Sequence, residues 1–181
     1  MNMLRLLIVL TILCGALYPL TVTLMGQTLF YKKAEGSLLI HKEKILGSKL
    51  LAQKFSQKDF FWSRPSSADF ATVSSGASQS SVIQKSGIEL REKRRSEQPE
   101  AGLDAWTSSG SGLDPHVSPQ TALSQVNRVA AARGMTPDAL KWLVNKYTEG
   151  PTWGIWGRPR VNVLELNMAL LMTEGRDGHT R

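Results

Sequence analysis

Residues 6–31 read LLIVLTILCGALYPLTVTLMGQTLFY, 26 residues without a charged side chain. A helix needs about 20 predominantly apolar residues to cross the hydrocarbon core of a bilayer. Leucine, isoleucine and valine each favour insertion by a few tenths of a kcal/mol. The spacing and composition predict a transmembrane helix over about residues 6–27. Thr11, Thr21 and Thr23 are compatible with it, because hydroxyls bond back to helix carbonyls. Pro19 is expected to kink the helix or mark its looser outer part. Two other readings of such a run fit less well. A cleaved signal peptide needs a small-x-small site after the apolar stretch, and residues 18–27 place no alanine there. A lipoprotein signal on Cys14 needs a small residue before the cysteine, and Leu13 stands there.

Outward from this run the chain becomes polar and basic. The formal net charge is +7 over 181 residues. Lys32, Lys33, Lys42, Lys44, Lys49, Lys54 and Lys58 follow the apolar segment directly, so lipid headgroups are the nearest anions. No aromatic-interleaved RNA-binding motif accompanies the charge, and nucleic acid is not expected as a partner. Raw counting of Lys and Arg beside the span would place the C-terminal part inside. The single cysteine, Cys14, lies within the apolar run, so the polar part has neither an intrachain disulfide nor a cysteine metal site.

The polar part reads as one small α+β domain. Short apolar runs at residues 37–41 and 46–53 flank the polar turn 41–44, and Asp59 leads a third run that ends at Pro65. All three read as strands, with proline stopping the last. A Ser-rich loop is expected at residues 65–81, and IELREKRR at 88–95 reads as an exposed helix with Glu89 and Lys93 one turn apart. Ser118-Pro119 and Thr136-Pro137 each read as a helix start. The first helix is expected to carry Leu123, Val126, Val129 and Ala130 inward and to close at Gly134. The second has Asp138 in its first turn, carries Leu140, Leu143, Val144 and Tyr147 inward, and closes at Gly150. Residues 151–159 form a turn-rich connector in which Trp153 and Trp156 are expected to pack. Asn162 and Glu165 form a capping pair for a last helix over 163–172. A polar tail is expected from residue 175.

The search for chemistry finds no phosphate loop, no GxGxxG and no nucleophile elbow. His41, His116 and His179 have no metal-ligand spacing. One segment stands apart: Thr107-Ser108-Ser109-Gly110-Ser111-Gly112-Leu113-Asp114-Pro115-His116. Alternating Ser and Gly free the backbone for close approach. Asp114 before Pro115 is restricted to extended backbone. By residue type alone a structured loop leading into the helix at Pro119 is the better reading. Ser111 as a nucleophile has no candidate base beyond His116.

The order of segments resembles the C subunit family of the bacterial Kdp potassium-transporting P-type ATPases. Leu17-Tyr18-Pro19-Leu20 with Gly26-Gln27 looks like that family's start. Gly36-Ser37-Leu38-Leu39-Ile40, Gly47-Ser48 and Gln53-Lys54-Phe55 are similar to its next block. Phe61-Trp62-Ser63-Arg64-Pro65-Ser66 matches its aromatic-S-R-P-S motif. TSSGSGLDPHVSP over residues 107–119 is the most specific match. Gln125-Val126, Arg128-Val129-Ala130, Ala132-Arg133 and Pro159 through Asn167 complete it. Residues 75–80 depart from the family's Gly-Gly-Ser-Asn run, and the tail after Leu171 is longer than usual.

The resemblance implies an anchor at residues 1–31 and an extracytoplasmic domain at 32–181, in the plasma membrane with a single pass. Family architecture thus overrides the raw charge count. It implies an accessory, non-catalytic subunit of a high-affinity potassium uptake system. Its partners would be a channel-like potassium-translocating subunit, a P-type ATP-hydrolysing subunit and the lipid bilayer. The family is described as a catalytic chaperone that raises the ATP affinity of the hydrolytic subunit. ATP and potassium ion would then be met through the complex, with no cofactor bound directly. Ser109, Gly110, Ser111, Gly112, Leu113, Asp114 and Pro115 are the candidate interaction loop. Ser63, Arg64, Pro65, Gln125, Arg128, Asn162, Glu165 and Asn167 are further motif residues. Thr11, Gly15 and Ala16 are a candidate close-approach face of the anchor. The alternative is a membrane-anchored extracytoplasmic binding module unrelated to a pump.

Overall fold

The structure, a computed structural model, describes residues 2–41, 43–72, 76, 85–98 and 101–177, the last four without their side chains. The chain divides into two compact units, Met1–Ser48 and Lys49–Arg181. In the first, α1 (Asn2–Leu29) is 28 residues long, with a mean hydropathy of 2.2 and none of its apolar window buried. It is long and apolar enough to span a bilayer. Thr21 Oγ1 donates to the Leu17 carbonyl at 2.8 Å and Thr28 Oγ1 to the Leu24 carbonyl at 2.9 Å. The hydroxyls therefore cost little inside an apolar solvent.

Pro19 lies inside α1 and follows a widened turn. Residues Leu13–Leu17 form one π-helical turn, in which the Tyr18 N–H reaches back to the Leu13 carbonyl. A proline in a regular α-helix removes one bond and drives its ring against the carbonyl four residues earlier. The wide turn just before it takes up that misfit, and π-turns occur mostly as such single bulges. After a short helical turn α2 (Tyr31–Ala34), β1 (Leu38–His41) and β2 (Lys44–Ser48) pair antiparallel, with an irregularity between Leu39 and Ile40. The second strand ends at Ser48, short of the expected run to residue 53. Lys42 of the expected turn lies outside the described residues.

The second unit is built on helices. They are α3 (Lys85–Glu97), α4 (Leu103–Trp106), α5 (Pro119–Ser124), α6 (Val126–Arg133), α7 (Pro137–Lys146) and α8 (Val163–Asp177). A small antiparallel sheet of β3 (His116–Val117), β5 (Arg160–Asn162) and β4 (Thr148–Glu149) lies in the order β3-β5-β4. Ser118 caps α5, its Oγ accepting from the Thr121 N–H at 3.3 Å, with Pro119 at the first helical position. The expected single helix over this stretch breaks at Gln125 into α5 and α6. Gly134 closes α6 with φ of 65°, a conformation that costs glycine no steric strain.

The core gathers the inward stripes. Val126, Val129 and Ala130 of α6 meet Leu140, Leu143 and Val144 of α7 and Leu166 and Leu170 of α8. Leu123 is partly exposed and not part of this core, the break at Gln125 separating it from the α6 stripe. Phe61 is fully buried in the same core, and burying such a ring contributes about 2–3 kcal/mol. Its segment is nevertheless not the expected strand. Residues 61–66 have no regular structure, and side chains rather than a strand ladder satisfy the backbone. Part of the expected Ser-rich loop, residues 73–75 and 77–81, lies outside the described residues. So does the polar tail from residue 178, whereas α8 runs on through residue 177 rather than ending at 172.

Candidate interaction site

The irregular segment at residues 57–66 has few backbone partners, so its amides and carbonyls must be matched by side chains. Asn167 on α8 matches both groups of one residue. Its Oδ1 accepts from the Phe61 N–H at 2.9 Å and its Nδ2 donates to the Phe61 carbonyl at 2.9 Å. Gln125 does the same one residue on. Its Oε1 accepts from the Trp62 N–H at 2.8 Å and its Nε2 donates to the Trp62 carbonyl at 3.2 Å. Arg128 lies over the Trp62 ring, 3.8 Å from its centroid, and donates to the Lys58 and Phe60 carbonyls at 2.6 and 3.0 Å. Burial pulls its pKa down to about 10 against the raising effect of Asp59, which leaves it protonated at neutral pH. Arg133 bonds the Asp59 carbonyl and lies over Phe60. Four side chains from α5–α6 and α8 thus clasp one extended segment.

The clasp fixes Arg64 under the loop at residues 107–116. The Arg64 Nε donates to the Thr107 carbonyl at 3.3 Å, and its Nη2 to the Ser108 carbonyl at 3.3 Å and Thr107 Oγ1 at 3.4 Å. Its Nη1 pairs with Asp114 Oδ2 at 3.5 Å. The planar fork suits this divergent set of acceptors. Arg94 adds a bond to the Trp106 carbonyl at 3.2 Å. Further along, the Ala52 N–H donates to the Leu113 carbonyl at 2.8 Å and the Val163 N–H to the Pro115 carbonyl at 2.9 Å. Gly112 sits at φ of 69°, and a Cβ there would lie 2.8 Å from the Gly76 carbonyl oxygen. Glycine is required at that position on both counts.

Asp114 is the electrostatic centre of the loop. Its Oδ1 accepts from the His116 N–H at 3.0 Å and lies 3.1 Å from His116 Nδ1. Burial pushes its carboxyl up, but the hydrogen bonds and charge of His116 and the Arg64 charge outweigh burial and hold it below the ordinary range. A depressed carboxylate contributes stability above its unfolded pKa, about 3.9, and that contribution fades as pH falls through the lower folded value. Acid unfolding below about pH 4 should therefore begin earlier in wild type than neutral-pH stability suggests. Asp114→Asn should flatten that acid limb, as followed by circular dichroism. An unchanged limb would remove Asp114 from the balance.

The candidate residues thus divide by burial. Ser109, Gly112, Leu113 and Pro115 are buried, Asp114 is partly open, and Gly110 and Ser111 are exposed at the tip. An open cleft of about 790 Å³ beside them is lined by Arg64, Ser109, Ser111, Asp114 and His116, with Leu50 and Leu51 at its edge. Ser63 Oγ donates to the Gln53 carbonyl at 3.3 Å, and Pro65 is half-buried beside it. Asn162 caps α8, its Oδ1 accepting from the Leu164 and Glu165 N–H groups at 3.1 and 3.2 Å. Its Nδ2 ties down the Lys49 carbonyl at 2.8 Å, and Glu165 pairs with the Lys49 ammonium. Only the Asn162 half of the expected capping pair is made, the Glu165 side chain going to Lys49 instead, and both residues lie outside the cleft.

Ser111 Oγ accepts from the Leu113 N–H at 3.1 Å. Among the described residues no hydrogen bond joins it to His116. Among them, too, no group of three or more His, Cys, Asp or Glu side chains is placed to hold a metal ion. Sequence reasoning missed Asp104, whose Oδ2 accepts from the Ser118 N–H at 2.7 Å and from Thr121 Oγ1 at 3.3 Å. Its partners lie too far along the chain for any local spacing to announce them.

The resemblance to known proteins covers most of the chain. The sequence matches the family described as K+-transporting ATPase, c chain, over residues 1–171. The chain belongs to the KdpC family. A relative from Leptospira interrogans named Potassium-transporting ATPase KdpC subunit is 42% identical over 170 residues, covering 92% of this chain and 90% of the relative. Relatives of the same name from Dechloromonas aromatica and Methylococcus capsulatus are each 41% identical, over 174 and 178 residues. They cover 90% and 92% of this chain, and 91% and 94% of their own lengths. The family resemblance read from the sequence is borne out, and with it a role as a subunit of a potassium-transporting ATPase. KdpC membership fits the presence in α1 of a helix long and apolar enough to span a membrane.

Proposed function

We propose that the chain is a single-pass accessory subunit of an ATP-driven potassium uptake pump, non-catalytic by itself, with its second unit outside the cytoplasm. The partners are a channel-like potassium-translocating subunit and a P-type ATP-hydrolysing subunit, and the loop at residues 109–115 is the contact that holds the assembly. The observation that carries this reading is the loop's construction. It is tied from behind by Arg64, Ala52 and Val163 while Gly110 and Ser111 face outward. A loop already ordered before docking spares the association much of its entropy cost. The polar tip and the partly open Asp114 supply directional contacts to a partner surface.

By family resemblance the chain raises the ATP affinity of the hydrolytic subunit through the assembled complex. Such coupling is reciprocal. A tenfold gain in ATP affinity, about 1.4 kcal/mol, requires ATP to tighten this chain's attachment by the same factor. The binding module unrelated to a pump, the alternative read from the sequence, gains no support from the family.

Deleting the gene should impair growth at low potassium, and the wild-type gene should restore it. Asp114→Asn should lower recovery of the co-purified complex while the complexes that form keep their ATP turnover. Intact recovery with reduced turnover would overturn the assembly role of the loop, and normal growth of the deletion strain would overturn the pump reading.

A further inference from the structure

The connector at residues 150–159 is an ordered, outward-pointing hairpin. The Thr152 N–H donates to the Trp156 carbonyl at 2.8 Å and the Trp156 N–H to the Thr152 carbonyl at 3.0 Å. The Gly154 N–H closes onto the Pro151 carbonyl at 3.0 Å. Trp153 sits at φ of 54°, a region disfavoured for bulky L residues. The tip is thus fixed in a conformation that carries its rings away from the core. Trp153 is 88% exposed, Ile155 82% and Trp156 70%. The expectation that these tryptophans pack is overturned, because among the described residues the hairpin leaves both rings mostly exposed.

The other tryptophans of the chain are engaged. Trp62 Nε1 donates to the Gln57 carbonyl and its ring faces Arg128. Trp106 Nε1 donates to the Gln98 carbonyl and its ring faces Arg95. Trp142 has Lys146 over its ring. Among the described residues no hydrogen bond or ring contact engages the indoles of Trp153 and Trp156. Three large apolar side chains within four residues, all this exposed, mark a contact surface rather than ordinary surface scatter.

The flanks name the contact. Residues 150–164 contain no acidic side chain but do contain Arg158 and Arg160. Arg160 is paired with Glu149 at 2.9 Å, and no described ion pair engages Arg158. Indoles with a neighbouring guanidinium fit the headgroup region of a bilayer, where amphipathic rings settle and cations meet phosphate. The chain supplies that bilayer itself, because α1 ends at Leu29 and the second unit begins at Lys49. Because the two units are one chain, even a weak interfacial contact is effectively intramolecular.

We propose that the hairpin tip is a second membrane contact, with Trp153, Ile155 and Trp156 seated in the interfacial layer and Arg158 on lipid phosphate. This rests on the reading of α1 as a bilayer anchor. The test uses the full-length chain reconstituted into phosphatidylcholine vesicles with and without phosphatidylglycerol, carrying brominated acyl chains. α1 contains no tryptophan, so quenching reports the second unit alone.

Wild type should be quenched, and the triple variant Trp153→Ser, Ile155→Ser, Trp156→Ser should lose most of that quenching, about threefold or more, with unchanged circular dichroism. Arg158→Gln should lose the extra quenching that phosphatidylglycerol gives. Equal quenching in the triple variant, or a membrane-bound but unquenched wild type, would overturn the proposal. A photo-crosslinker at position 153 joined to another subunit of the co-expressed pump, in the absence of quenching, would overturn it in favour of a protein seat. Loss of the chain from vesicles after an alkaline wash would instead overturn the anchor reading.

Discussion

Asn167→Ala should lower the unfolding free energy by about 3–5 kcal/mol, a large effect for one small side chain. The amide matches the N–H and the carbonyl of Phe61, both at 2.9 Å, in the interior of the second unit. Truncation leaves both backbone groups buried, and each unsatisfied group costs about 1–3 kcal/mol. Asn167→Asp separates the two bonds. It keeps an acceptor for the Phe61 N–H but sets a carboxylate against the Phe61 carbonyl, so it should destabilise at least as much as alanine. Denaturant unfolding of the detergent-solubilised chain, followed by far-ultraviolet circular dichroism, measures both. A loss below about 1 kcal/mol for alanine would mean that the Phe61 ring, rather than the amide, holds the segment.

Arg64→Ala should leave the helical core folded and still reduce recovery of the assembled complex by about tenfold or more. Arg64 holds Thr107, Ser108 and Asp114 at once. Without it the loop is expected to sample several conformations, and docking must then supply the ordering entropy. Arg64→Lys should rescue little, because an ammonium keeps the charge opposite Asp114 but cannot span all four acceptors. A double-mutant cycle with Asp114→Asn separates this shared effect from two independent losses. Full recovery of the complex with Arg64→Ala would show that the loop needs no support from below.

Much of the architecture was legible because its signals are local. The apolar run, the Ser-Pro start at residue 118, Gly134 and the Asn162 cap each act within a few residues of themselves. Gln125 and Arg128 of the clasp read from the sequence as hydrogen-bonders rather than ligands, but their partners were not legible. Gln125 and Asn167 act on backbone 63 and 106 residues away, and neither pattern nor propensity registers such a span. For the same reason an aromatic run that reads as a strand is held without one. Trp153 and Trp156 were misread because hydrophobicity foretells burial only when the fold offers a wall to pack on, and a hydrogen-bonded hairpin tip offers none.

The widened turn at Leu13–Leu17 also bears on how α1 is used. One residue accommodated in a helix rotates everything beyond it by about 100° relative to everything before it. Ile8 and Val22 therefore do not belong to the seams that uniform spacing would assign them. A neighbouring helix that tracks the whole length therefore meets side chains one position out of the uniform register beyond residue 17.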